Sequence, residues 1–189
     1  MVSDGVPIKS NILDMKRITL PVLLLFIAVS VCAGKMEYMM RPIKNGYLFF
    51  VMPFRVPSET KGVKAMSTDI TIRTDKQTAD IRMTLTITKE IEIDSIRICN
   101  NDTVMSYPAR TLYAERRKGN WKYRIELTIP YEAVTYIYTN PEPYRLLTVN
   151  KGNRNLSYSP ARRTWSRTRR EMSELFYVIS VNRKNRTAQ

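Results

Sequence analysis

Histidine is absent from all 189 residues. That removes Ser-His and Cys-His nucleophile pairs, the common zinc sites and the usual neutral-pH general base. Cysteine is almost as scarce, with Cys32 and Cys99 alone. Cys32 falls in an apolar leader, and once the leader is cut away Cys99 has no partner for an internal disulfide. Cys99 ends the strand-like run SIRIC and reads as a buried, inert thiol, because free cysteine is among the most buried residue types. Intermolecular pairing is the other option for a lone thiol in an oxidising compartment. No apolar run reaches the roughly 20 residues that span a bilayer as a helix.

The longest apolar run, Leu20 to Val31, instead has the zones of a secretory signal. Lys16 and Arg17 form its positive end, and Cys32, Ala33 and Gly34 supply small residues for cleavage after Gly34, or one residue earlier after Ala33. Met15 stands directly before Lys16, so the signal runs from Met15 to Gly34, and Met1–Asp14 reads as a lead outside the fold. Two alternatives remain open. One is an uncleaved membrane anchor. The other is a lipoprotein at Cys32, for which Val31 is a poor preceding residue. The expected location is secreted, periplasmic or cell-envelope, with a single β-rich domain over residues 35–181 and a disordered tail over 182–189.

Bases outnumber acids, 31 to 17. Residues 1–34 hold Lys9, Lys16, Arg17, Asp4 and Asp14, so the remainder carries 28 bases, 15 acids and a net charge of +13. About 155 residues suffice for one domain with a core of its own.

Period-two alternation dominates that domain. Ile70 and Ile72 oppose Thr71 and Arg73, and Ile81, Met83, Leu85 and Ile87 oppose Arg82, Thr84, Thr86 and Thr88. The segment Asp75–Ala79 joins these two runs as a hairpin. Ile91 and Ile93 continue the pattern, then Ile96 and Ile98 resume in the opposite phase, which requires a bulge or tight turn near Asp94-Ser95. Trp121, Tyr123, Ile125, Leu127 and Ile129 form the longest alternating face. It pairs with Thr111–Arg116 through a turn at Gly119, where a positive φ is tolerated. Gly46–Phe54, Thr103–Tyr107 and Tyr144–Val149 read as further strands, with Pro53, Pro108, Pro130 and Pro143 at their ends. Tyr131–Tyr138 fits either a strand or a helical crossover.

One wet face and one packed face imply antiparallel sheets in a mostly β fold, a β-sandwich or partly open barrel. The period then changes. Trp165, Thr168, Met172, Leu175, Phe176 and Ile179 share one face of a C-terminal amphipathic α-helix from Pro160 to Ile179. Ser159 is its expected N-cap and Pro160 its first residue. Phe176–Val181 also fits a final strand.

Two groups of residues are candidate binding surfaces. Arg163, Arg167 and Arg170, with Arg162 and Arg169 alongside and Lys151 and Arg154 near in sequence, form a basic helix face suited to a polyanion or equally to plain solvation. Tyr107, Tyr113, Tyr131, Tyr144 and Tyr158, with Tyr136 and Tyr138, suit glycan or protein contact, or simply the strand propensity of tyrosine. Glu90, Glu92 and Asp94 share a strand face but lack the glycine-bearing loop of a calcium site, so no metal and no cofactor is expected. Ser58-Glu59-Thr60-Lys61 matches a serine-lysine acyl-enzyme motif by chance, without its companion motifs. Asn101, Asn155 and Asn185 begin N-glycosylation triplets. Asp94-Ser95-Ile96 and Asp102-Thr103-Val104 resemble the Asp-Ser/Thr-aliphatic O-glycosylation sites of exported Bacteroidetes proteins, and the resemblance implies an exposed Asp94–Val104 region.

The expected function is an exported, non-catalytic binding domain for an anionic glycan, lipopolysaccharide or an envelope protein, with nucleic acid disfavoured. A structural or assembly subunit that lends the strand Gly46–Phe54 to a neighbour is the alternative. A glycoside hydrolase using carboxylates alone ranks third.

Overall fold

A computed structural model describes residues 37–150 and 155–187. The signal segment, Cys32, the cleavage residues Ala33 and Gly34, and Lys151 and Arg154 lie outside the described residues.

The chain runs through β1 (Tyr38–Ile43), β2 (Gly46–Val56), β3 (Met66–Arg73), β4 (Thr78–Ile87), β5 (Ile93–Asn100), β6 (Thr103–Pro108), β7 (Arg110–Arg117) and β8 (Asn120–Pro130). Helix α1 (Tyr131–Thr139), β9 (Arg145–Asn150), β10 (Ser157–Tyr158) and helix α2 (Arg162–Thr187) follow. The strands form two antiparallel sheets, ordered β1-β2-β3-β4-β8-β7 and β10-β9-β5-β6. The protein is mostly β, with no closed barrel, as the alternation requires.

The inward phase of each strand is buried. Phe49, Val51, Ile70, Ile72, Met83, Leu85, Ile125, Leu127 and Ile129 on the large sheet join Ile96, Ile98 and Leu146 on the small one in a single core. Each such side chain contributes about 1.5–3 kcal/mol of transfer free energy. The β7–β8 hairpin turns at Lys118 and Gly119, with φ of 51° and 77°. Both central residues are left-handed, as in a type I′ turn, and this sets the register Arg117↔Asn120. Gly46 is left-handed too, with φ 124°, and the Thr74 hydroxyl stands where a Cβ would project.

Several expectations are corrected. Ile91 belongs to no strand: Thr88–Glu92 carries the chain from one sheet to the other, since Ile87 ends the large sheet and Ile93 begins the small one. Glu90, Glu92 and Asp94 therefore share no strand face. The bulge near Asp94-Ser95 is present, as a register shift between Ile93 and Ser95. The β3–β4 connection is Thr74–Gln77, shorter than expected. Strand β1 had no signal, because YMMRPI lacks alternation and contains Pro42; it is an edge strand, where a missing N–H is tolerated. β2 continues past Pro53, which sits in a register shift between Val51 and Phe54 instead of ending the strand. β2 also pairs on both sides, with β1 and β3, so its backbone cannot be lent to a neighbour.

Tyr131–Tyr138 is helical and buries Val134, Ile137 and Tyr138. The expected stripe on α2 is correct: Trp165, Met172, Leu175, Phe176 and Ile179 are buried. The helix limits are not. Ser159 Oγ donates to Tyr144 O at 2.9 Å instead of capping, and the helix starts at Arg162. It continues through 182–187, the segment expected to be disordered, and Phe176–Val181 is no strand. Arg183 accounts for the extension: its guanidinium lies 3.8 Å from the Tyr131 ring centroid and donates to the carbonyls of Arg73 and Lys76 at the β3–β4 turn.

Candidate functional site: the outward face of the large sheet

Because β3, β4 and β8 send their apolar phase inward, their charged phase shares the opposite face. Antiparallel register then decides which charges meet. Asp69 lies opposite Arg82, Arg82 opposite Glu126, and Glu126 opposite Arg110. One cross-strand row thus alternates in sign over four strands, an arrangement in which each directly opposed pair attracts. Arg82 Nε donates to Glu126 Oε2 at 2.7 Å, and Arg110 bonds the other carboxylate oxygen. Arg124, one row along, binds Asp69 Oδ2 and reaches Thr84 Oγ1 at 2.8 Å. Burial works against an ionised Glu126, but the bonds from Arg110 and Arg82 outweigh it and hold the carboxyl below its usual range.

Asp69 is only 1% exposed although it faces outward. Its Oδ1 is buried and has no hydrogen-bond partner among the described residues, and neither has Thr71 Oγ1, two residues along on the same face. Buried polar atoms are ordinarily satisfied, so two oxygens on one strand face without a partner among the described residues stand out. Beside them lies a groove of about 560 Å³. Met39, Met40, Leu48 and Phe50 give it apolar walls, while Arg41, Thr71 and Arg82 supply its polar atoms. Its size falls in the range of small-molecule sites, about 300–1,000 Å³.

A second cleft, beside the start of α2, holds Glu59, Cys99, Glu142, Arg145 and Arg162. Its charges are already matched, Glu59 to Arg145 at 2.9 Å and Glu142 to Arg162 at 3.0 Å. Cys99 is therefore not buried: it occupies the outward phase of β5, between inward Ile98 and Asn100, and is partly exposed.

The helix brings Arg163, Arg167 and Arg170 into one exposed stripe, with Arg162 also exposed and Arg169 half-buried. The stripe is partly neutralised, by Arg162–Glu142 and by Arg167–Glu171 at 3.0 Å. The tyrosines do not assemble into a surface. Tyr144 and Tyr158 are core residues, 2% and 0% exposed. Tyr144 packs with Tyr138 and Trp165 at centroid distances of 5.3 and 5.6 Å, and burial pushes its hydroxyl up to about 12. Tyr131 is half-buried under Arg183, Tyr107 packs partly against the core, and Tyr113 and Tyr136 are exposed on separate elements. Tyrosine spacing in sequence carried no information about which sheet face each ring would take.

The expected exposure of Asp94–Val104 holds in part: Asp94, Arg97 and the turn residues Asn101, Asp102, Thr103 and Val104 are exposed, whereas Ile96, Ile98 and Asn100 are buried. Among the described residues no group of three or more cysteine or acidic side chains is placed to hold a metal.

The residues missed from sequence are Arg41, Phe50, Asp69, Thr71, Arg82, Arg110, Arg124 and Glu126. Several were visible as the polar phase of strands, but only the register shows that they meet. A scan against protein-family models matches none to this chain, and comparison with curated proteins and with solved structures likewise finds no match.

Proposed function

We propose that this chain is an exported domain that binds its ligand on the outward face of the large sheet and carries out no chemistry on it. The observation that carries the reading is the groove beside Asp69 and Thr71, with two buried oxygens left without partners at a preordered charge ladder. Ion pairs within the ladder fix its side chains in place before a ligand arrives, which lowers the ordering cost of binding. Against catalysis stands the state of the carboxylates. Asp69 and Glu126 lie two strands apart, roughly 10 Å by strand spacing, a separation near that of an inverting glycosidase pair. A general acid in such a pair needs a raised pKa, whereas the arginines push Glu126 the other way.

Binding of the chain to envelope lipids, envelope glycans and heparin checks this. Phe50→Ser with Arg82→Gln is expected to abolish binding, and Arg163→Gln with Arg170→Gln, on the α2 stripe, to leave it intact. The reverse result would move the site to the helix and restore the polyanion reading. For export, amino-terminal sequencing of the protein from its own cells is expected to start at Lys35 or Gly34. A read from Met1 or Met15 would end that part of the proposal.

The assembly reading keeps one observation in its favour: all eight residues of edge strand β7 are exposed, Leu112 and Tyr113 among them. An unpaired edge of that length is a template for another strand. Light scattering that finds a monomer at high concentration removes it.

A further inference from the structure

We infer that the groove along β1 takes a single-chain anionic amphiphile, a long-chain carboxylate whose tail lies on Met39, Leu48 and Phe50 and whose head meets Arg41 and Arg82. This rests on the outward face being the binding face, and it names the ligand class.

The lining decides between the candidate classes. A glycan needs partners for many hydroxyls, and the groove walls are mostly apolar. Methionine is unbranched and polarisable, so Met39 and Met40 conform to a flexible chain as they do not to a rigid one. The volume of about 560 Å³ suits one chain and a head group. At the polar side, Arg41 is exposed and makes no ion pair among the described residues. Arg82 spends its Nε on Glu126, which leaves the other guanidinium nitrogens for a carboxylate. Planar guanidinium donors match the two oxygens of a carboxylate. The orphaned Thr71 hydroxyl lies in the lining and supplies a further donor.

Charge points the same way. Across the groove and the ladder beside it, four guanidiniums (Arg41, Arg82, Arg110, Arg124) face three carboxylates (Asp69, Asp80, Glu126). Arg55, opposite Ser67 on the same face, adds to this excess of guanidinium, and the net charge of +14 on the whole chain draws anions toward it.

Calorimetric titration of the chain, as purified from its cells, with sodium laurate below its micelle concentration tests the inference. One saturable site is expected. Arg41→Gln is expected to weaken it about tenfold, Thr71→Val several-fold, and Arg170→Gln not at all. Butyrate, which has the head without the tail, and dodecyltrimethylammonium, which has the tail with the opposite charge, are expected not to compete. Phosphatidylglycerol vesicles are expected not to retain the chain, since a concave groove admits a free chain and not a bilayer surface. Laurate binding that is multi-site, or unchanged in both Arg41→Gln and Thr71→Val, would overturn the assignment. So would retention on vesicles with no response to free laurate. If laurate fails while a neutral oligosaccharide shifts the amide resonances of Leu48–Phe50 and Thr71, the ligand class falls and the binding face stands. If neither shifts them, both fall.

Discussion

On β4, Ile81, Met83 and Leu85 point inward and are buried, while Arg82 and Thr84 between them point outward onto the charge ladder. Strands β3 and β8 repeat the division, with Ile70 against Asp69 and Leu127 against Glu126. The same backbone thus carries two surfaces with different physics. Inward residues are held by non-directional burial, so volume governs what substitution does there. Outward residues are held by particular partners, so the loss of one group strands another. The inner face stabilises the fold. Among the described residues, unsatisfied oxygens occur on both sides of β3, Asp69 Oδ1 and Thr71 Oγ1 on the outer face and Thr68 Oγ1 on the inner, but only those on the outer face lie beside the groove.

The contrast is sharpest in the core. Leu127→Ala is expected to cost about 3 kcal/mol, read from the urea midpoint, because a filled site collapses only partly around a cavity. A loss under 1 kcal/mol would mean that the inner face is not close-packed.

On the outer face, Glu126→Ala leaves Arg82 and Arg110 without their shared carboxylate and is expected to cost about 2 kcal/mol. The double replacement Arg82→Met with Glu126→Leu is expected to cost less than the single one, since removing both partners strands no charge at that pair. Equal or larger loss in the double variant would show that the ladder behaves like the core, and the comparison would fail.

Acid probes the same contrast. The folded carboxyl of Glu126 is depressed below its unfolded value. Its contribution is therefore fully present above the usual carboxylate range and lost as pH falls through the folded pKa. Urea midpoints measured from pH 7 downward are expected to drop more steeply in the wild-type chain than in Glu126→Gln; parallel curves would sink this assignment.

Smaller effects attach to the turn that decides which face each residue of β7 takes. Gly119→Ala forces a side chain into left-handed backbone and is expected to cost about 1 kcal/mol. Lys118→Asn is expected to add about 0.5 kcal/mol, as asparagine suits the first position of a type I′ turn. Smallest of all is Arg167→Ala on exposed α2, within about 0.5 kcal/mol, because a solvated i,i+4 pair contributes little.

Much of the fold was legible wherever one residue type repeated in one phase. The alternation at Ile81–Ile87 and Trp121–Ile129, the bulge near Asp94-Ser95 and the apolar stripe from Trp165 to Ile179 all read through. Local signals misled where tertiary contacts overrode them. Pro53 looked like a strand end but is absorbed in a register shift. Ser159 looked like a cap but bonds Tyr144 O. Residues 182–187 looked unstructured, yet they are helical because Arg183 docks on Tyr131 and the β3–β4 turn.

Of the candidate site the strands disclosed the parts and not the assembly. The Arg162–Arg170 stripe could be read because a helix places i, i+4 and i+7 together by its own geometry. The ladder could not, since Asp69, Arg82, Glu126 and Arg110 meet through pairing between residues up to 44 positions apart.

By itself the sequence determined a β-rich, histidine-free, basic chain with one apolar face per strand, because side-chain alternation along a strand is a local property of its pleat. Tertiary structure alone decided which outward charges became neighbours, which tyrosines entered the core and that Asp69 Oδ1 and Thr71 Oγ1 have no partner among the described residues. Those outcomes depend on strand order and register, and no window of consecutive residues contains either.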